Sequence, residues 1–172
     1  MPSEIWKAYP HIWKNKVAFF TWLRGCLRRC WNKSPLKIEV LKNKRIRMDN
    51  GKGRIVWGAV CSMCGGSFPQ NQIQVDHVVP AGSLQDVSDI EGFVTRLLMS
   101  DDLRLVCKGC NAALAYADKH NISYEEALTQ KKVIAIINDK KDKKVLEEAG
   151  IKPASNAKAR RKQLEELFKE GV

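Results

Sequence analysis

The sequence predicts an α+β fold, with a small module of short strands and helix at the centre of the chain and helices before and after it. Two cysteine pairs of identical spacing, Cys61/Cys64 and Cys107/Cys110, frame that centre. Between them, 72–79 alternates apolar and polar residues with the two-residue period of a half-buried strand. Before them, Ile12, Val17, Phe20, Leu23, Leu27 and Trp31 recur mostly at steps of three and four with Arg and Lys between, the period of a helix.

In chain order, the first helix spans 11–31. Ser34-Pro35 is a cap followed by proline at the first helical position, so a second helix is expected over 35–48, carrying Lys37, Lys42, Lys44, Arg45 and Arg47. Asp49-Asn50-Gly51 stops it, and 51–53 reads as a turn. A strand over 54–60 leads to the first cysteine pair, after which Gly65-Gly66 permits a tight reversal. The segment 72–79 is one strand of a hairpin, 80–88 is loop, and 90–99 is helical. A short extended stretch, 103–106, approaches the second pair. A helix then starts at 110 or 111 and runs to 120, helped by Ala112, Ala113, Ala115 and Ala117. Ser123 to Glu126 matches a capping box opening a helix to 138. A short helix within 139–150 ends at Gly150, and Lys152-Pro153 separates it from a last, charged helix over 155–169. The domain organisation is therefore a basic helical arm (1–54), the central module (55–120) and a C-terminal helical extension (121–172).

The cysteines depend on compartment. The N-terminus has no secretory pattern, because its first apolar stretch is short, aromatic and flanked by Lys16 and Arg24, so the chain reads as cytoplasmic and its thiols as reduced. Paired cysteines two residues apart then point to metal or redox chemistry rather than disulfides. Redox chemistry calls for one such pair at the strand-to-helix junction of a βαβ unit, and no βαβ pattern is present. Four thiolates complete one tetrahedral structural zinc site with no open position. The 42 residues between Cys64 and Cys107 exceed an ordinary ribbon spacing, so the finger encloses an inserted module. Cys26 and Cys30 share a helical face but have no nearby partner pair, and read as core or half-exposed thiols.

Nothing approaches the ~18 consecutive apolar residues of a membrane span. The formal net charge is +11, unevenly distributed: residues 1–60 hold 14 Lys/Arg against 3 Asp/Glu, residues 61–120 hold 4 against 7, and residues 121–172 hold 12 against 9. A cationic arm beside a slightly acidic centre suits a nucleic-acid enzyme, with cations tracking phosphates and carboxylates holding a divalent ion. A merely solvated basic surface has the same composition.

The ordered stretches CSMCGGSF (61–68), QVDHVVPAGS (74–83) and DDLRLVCKGCNAALAY (101–116) resemble the HNH endonuclease superfamily, the ββα-metal fold, in the subgroup braced by a four-cysteine zinc. The likeness covers about a third of the chain. Its basic helical N-terminus and trailing helices are similar to small phage-encoded HNH proteins, including free-standing homing endonucleases, which would place it in a phage-infected host cell. The C-x-x-C-N ending also resembles phage junction-resolving endonucleases.

The resemblance implies roles. His77 would be the general base activating water, a role that suits imidazole because it titrates near neutrality. Asp76 and Asn111 would ligate a catalytic Mg²⁺ or Mn²⁺ through hard oxygens. In a regular pleat Asp76 and His77 point to opposite faces, so both reach one phosphate only if the backbone bends. Asp102 falls where the family carries its middle Asn, and aspartate accepts those hydrogen bonds but cannot donate them. The helix has Ala115 where a further histidine ligand would stand, so Asn111 is the one ligand it offers.

The arm adds a separate expectation. Arg24, Arg28, Arg29, Lys42, Lys44, Arg45, Arg47 and Arg54 form a DNA-binding face, while Trp6, Trp13, Trp22 and Trp31 build the lobe's small core. The expected function is a metal-dependent DNA endonuclease acting on double-stranded DNA, with structural Zn²⁺ and catalytic Mg²⁺ or Mn²⁺. A monomer would nick, and a homodimer would supply the two sites that a double-strand cut needs. The competing readings are a non-catalytic zinc module that binds DNA or a protein, and a nuclease for branched DNA.

Overall fold

The computed structural model describes residues 4–169 and has the expected α+β character, with helices around small antiparallel sheets. The chain forms two compact units that divide between Lys108 and Gly109. No described helix is long and apolar enough to cross a membrane.

In the first unit, helix α1 is Lys16–Trp31. It starts later than the periodicity suggests because Asn15 adopts an extended backbone and its side chain accepts a 2.9 Å bond from the Ala18 N–H, a capping arrangement that begins the helix there. Helix α2 is Pro35–Asn43. The expected helix to 48 is corrected here: Ile46–Asp49 is a strand, β1, paired antiparallel with β2, Ile55–Val60. Arg45-Ile46-Arg47-Met48 alternates with period two, and Asp49-Asn50-Gly51 is as good a hairpin turn as a helix stop. Cross-strand pairing with β2 decides between them.

Strand β3, Ser67–Pro69, joins the other edge of β2, giving the order β1-β2-β3. Gly58 allows this close stacking. A Cβ there would lie 2.2 Å from the Met48 sulfur and 2.4 Å from the Phe68 carbonyl oxygen. A second sheet pairs β4, Ile73–His77, with β5, Leu103–Cys107. The segment between them holds helix α3, Ile90–Leu98, which continues directly from a 3₁₀ turn, Val87–Asp89, that is opened by a capping box between Asp86 and Asp89. Lys16 on α1 pairs with Asp86 and so ties α1 to that loop.

The β4–β5 ladder positions the site. Ile73 lies opposite Cys107, Val75 opposite Leu105 and His77 opposite Leu103, all on one face. Ile73, Val75, Leu103 and Leu105 are buried, as are Phe93 and Leu97 of α3, so His77 ends a core-facing row. Asp76 and Arg104 lie opposite each other on the other face. Of the four tryptophans assigned to the lobe core, Trp31 is buried and Trp6 and Trp13 are half-buried. Trp22 is 50% exposed, at the edge of a ring cluster with Trp13 and Phe19, and is not core.

The second unit is helical. It contains nearly all of α4, Lys108–His120, then α5, Tyr124–Asn138, α6, Asp142–Glu148, and α7, Ala157–Lys169. Ser123 caps α5 by accepting a 3.0 Å bond from the Glu126 N–H. Gly150 takes a positive φ just after α6, as its place in the sequence suggests. Ala113, Ala117 and Ala127 form one buried cluster, and Val133, Leu146 and Leu164 a second.

Candidate metal centre and histidine site

Cys61 follows β2 directly, and the chain then reverses. The Cys61 carbonyl accepts from the Gly65 N–H at 2.9 Å, and the Cys61 N–H donates to the Gly66 carbonyl at 2.8 Å. Gly65 sits at φ 69°, a left-handed conformation that closes this knuckle with little strain only for glycine. Cys107 ends β5, and Cys110 lies in the first turn of α4. The ligand atoms of Cys61, Cys64, Cys107 and Cys110 all lie within 4.8 Å of one another. Tetrahedral zinc with ~2.3 Å bonds to sulfur sets its ligands about 3.8 Å apart, so this cluster fits the ion with little movement.

The electrostatics agree. Burial would raise the Cys61 thiol, but backbone N–H groups of Cys107, Cys64 and Met63, with the Cys64 side chain, more than offset it and bring the group down to about 6. The Cys107 N–H lies 3.2 Å from the Cys61 sulfur. Donors aimed at a sulfur favour its thiolate, the form that ligates metal. Four soft ligands leave no coordination position for substrate, so the centre is structural in kind. It is the one group of three or more His, Cys, Asp or Glu side chains placed to hold an ion among the described residues, and Cys26 and Cys30 are outside it.

At the far end of the same ladder His77 is held on two sides. Its Nε2 lies 3.0 Å from the Leu97 carbonyl oxygen, near the C-terminal end of α3. That oxygen can only accept, so Nε2 carries the hydrogen and, in the neutral ring, Nδ1 is the proton acceptor. The Trp31 ring lies against the imidazole with centroids 4.4 Å apart. A histidine with its tautomer fixed and its ring clamped has the preparation a general base requires.

No family model, curated protein or solved structure matches this chain. The geometry of its own residues therefore has to carry any functional reading.

Asp76 neighbours His77 in sequence but belongs to the opposite face, where Arg104 engages it. Arg104 Nε and Nη2 both lie 2.9 Å from Asp76 Oδ2, while Oδ1 has no hydrogen-bond partner among the described residues. The donor type fits a hard divalent ion, with one oxygen already held by the guanidinium. Asp102 meets β4 through its backbone, its carbonyl accepting from the Val78 N–H at 3.0 Å. Its carboxylate makes no hydrogen bond or ion pair with another described residue. The Leu97 carbonyl and Trp31 thus orient His77. Asn111 is the residue after Cys110 in the first turn of α4.

The basic residues are distributed over several elements. Arg24, Arg28 and Arg29 are on α1, with Arg29 Nη2 3.0 Å from the Cys26 sulfur. Lys42 is on α2, and Lys44 at its end reaches the Leu103 carbonyl at 3.5 Å. Arg45 and Arg47 flank Ile46 and stack on Trp57 with guanidinium carbons 4.1 and 4.0 Å from its ring centroid. Arg54 precedes β2. None of these eight takes part in an ion pair among the described residues. Sequence reasoning missed Arg104, Trp57 and the Leu97 carbonyl. Arg104 had a signal, since a basic residue two positions into a strand leading to a ligand pair can face an acid on its partner, but only the register makes the match.

Proposed function

We propose that this chain is a zinc-stapled, divalent-ion-dependent endonuclease of HNH type that hydrolyses phosphodiester bonds in double-stranded DNA. The observation that carries the reading is the state of His77: Nε2 engaged by a backbone carbonyl, the ring against Trp31, and Nδ1 left as the acceptor. The strand, inserted helix, strand and helix order around it, with the four-cysteine cluster, supports the same reading.

His77 Nδ1 takes a proton from a water whose oxygen attacks phosphorus in line. The bond from phosphorus to the 3′ oxygen breaks, and that oxygen takes a proton from solvent water, leaving a 5′ phosphate and a 3′ hydroxyl. Asp76 Oδ1 would be an oxygen ligand for Mg²⁺ or Mn²⁺, which when bound would offer positive charge to the phosphate and the leaving oxygen. Arg104 neutralises one oxygen of Asp76, reducing the repulsion a phosphodiester would otherwise meet there. The cysteine cluster takes no part in the chemistry.

The test is nicking of supercoiled plasmid by zinc-loaded protein with Mg²⁺ or Mn²⁺, and by His77→Ala. Loss of a general base should slow cleavage by roughly 10²–10⁴-fold. Equal cleavage by the variant, or an intact plasmid under every divalent ion, overturns the proposal; intact plasmid with retained binding identifies a non-catalytic zinc module. Four-way junctions cut far faster than linear or nicked duplex would move the substrate to branched DNA.

A further inference from the structure

From the β1–β2 hairpin we infer a duplex-reading ribbon, with Arg45, Arg47, Lys52 and Arg54 directed at the major groove and Trp57 holding the first two in place. This rests on the proposed action on double-stranded DNA and names the element that grips it.

The shape comes from the register. β3 covers β2 only from Gly58 onward, so from the Arg47–Trp57 pair to the Asp49–Ile55 pair the ribbon is two-stranded. Its tip is exposed, and nothing lies within 4 Å of where a Cβ would sit at Gly51 or Gly53. The turn is nonetheless held firmly. Asn50 Oδ1 accepts from the N–H of Lys52 at 2.9 Å and of Arg54 at 3.3 Å, and Asp49 Oδ1 accepts from the Gly51 N–H at 2.7 Å. A two-stranded ribbon is one of the shapes that the ~12 Å major groove admits.

The chemistry comes from the side chains. Arg45 and Arg47 are two residues apart and stack on the same indole. Stacking occupies the face of a guanidinium and leaves its N–H edge free, and among the described residues neither edge has a hydrogen-bond or ion-pair partner. The one acid of the hairpin, Asp49, bonds its own turn. Two ordered guanidinium edges and two tip cations, opposed by no free carboxylate, complement phosphates and guanine edges. Because Trp57 is already covered by two cations, it is not a stacking platform for single-stranded bases.

The experiment measures binding of zinc-loaded protein to a labelled 20-base-pair duplex without divalent ion, across a salt series, separately from cleavage. Arg45→Ala/Arg47→Ala and Lys52→Ala/Arg54→Ala should each weaken binding roughly tenfold and flatten the dependence of log affinity on log salt by about 2. Lys143→Ala/Lys158→Ala removes equal charge from the second unit and should change neither. Prebound methyl green, a major-groove ligand, should compete with the protein, and netropsin, in the minor groove, should not. The tip variant tests the ribbon without touching a paired strand residue, should the stacked pair fail to fold. Unchanged affinity in both hairpin variants, an equal loss in the lysine control, competition by netropsin alone, or no binding to duplex overturns the inference. Binding through the ribbon by protein that cuts nothing would sink the nuclease reading and leave the ribbon standing.

Discussion

In the unit ending at Lys108, buried apolar side chains are shared among α1, α3 and strands of three to six residues. Three of the four clustered thiols, Cys61, Cys64 and Cys107, belong to it at the ends of β2 and β5; the fourth, Cys110, is on α4. In the unit beginning at Gly109, every element is helical and the fully buried positions collect in two clusters of aliphatic side chains. A metal cross-link serves the first kind of unit because strands so short cannot bury enough surface to fix their own ends. Amphipathic helices can, since each offers a continuous apolar stripe to its neighbours. The candidate base His77 and the candidate ligand Asp76 sit in the first of these units. Strand ends and knuckles present side chains such as His77 and Asp76 at defined angles, whereas the helical unit presents mostly solvated charge.

The largest effect should come from metal. Purified protein is expected to hold one zinc per chain. Its removal by chelator, or Cys107→Ser, should cost several kcal/mol and abolish amide-exchange protection across 61–66 and in β5. Protection in α5 and α7 should remain. Exchange that opens the helices in step with the knuckles would break the comparison, as would a purified chain with no bound metal.

Next in size is the reverse experiment. Leu146 is fully buried between Val133 and Leu164, so Leu146→Ala should destabilise the helical unit by about 2–5 kcal/mol. Exchange protection in α5, α6 and α7 should fall with it while zinc content and knuckle protection hold. A loss spread evenly over both units would mean they unfold as one.

The helices of the second unit were legible because caps, alanines and breakers act locally: Ser123, Gly150 and the run ending at His120 fall where the sequence predicts. The cysteine cluster was legible from spacing alone, since C-x-x-C is a complete local instruction. What failed was decided across strands. Arg45 to Met48 satisfies a helical and a strand pattern alike, and only pairing with Ile55 to Gly58 selects the strand. Arg104 opposite Asp76, and the Leu97 carbonyl on His77, arise from elements 28 and 20 residues apart in sequence. Such partners depend on register and on where a helix ends, which no window of residues contains. Trp22 shows the same limit, because helical periodicity does not say which face finds a neighbour.

The smallest expected effect concerns charge within the helical unit. Arg160 Nε lies 2.6 Å from Asp142 Oδ2, and both side chains are largely buried. The bond from Arg160, against an opposing effect of burial, holds the Asp142 carboxyl below its ordinary value. A carboxyl that is more acidic folded than unfolded contributes stability that is fully present above the unfolded value near pH ~4 and disappears as pH falls through the folded value. Asp142→Asn should therefore lower the melting temperature of the helical unit by a few degrees at neutral pH. The deficit should shrink as pH drops below about 4, until variant and parent converge. Chelated protein should show the same convergence, because the pair joins α6 to α7 and includes none of the cysteine ligands. A deficit that stays constant into acid would mean that Asp142 acts through packing rather than charge, and one that vanishes on chelation would tie the pair to the cross-linked unit.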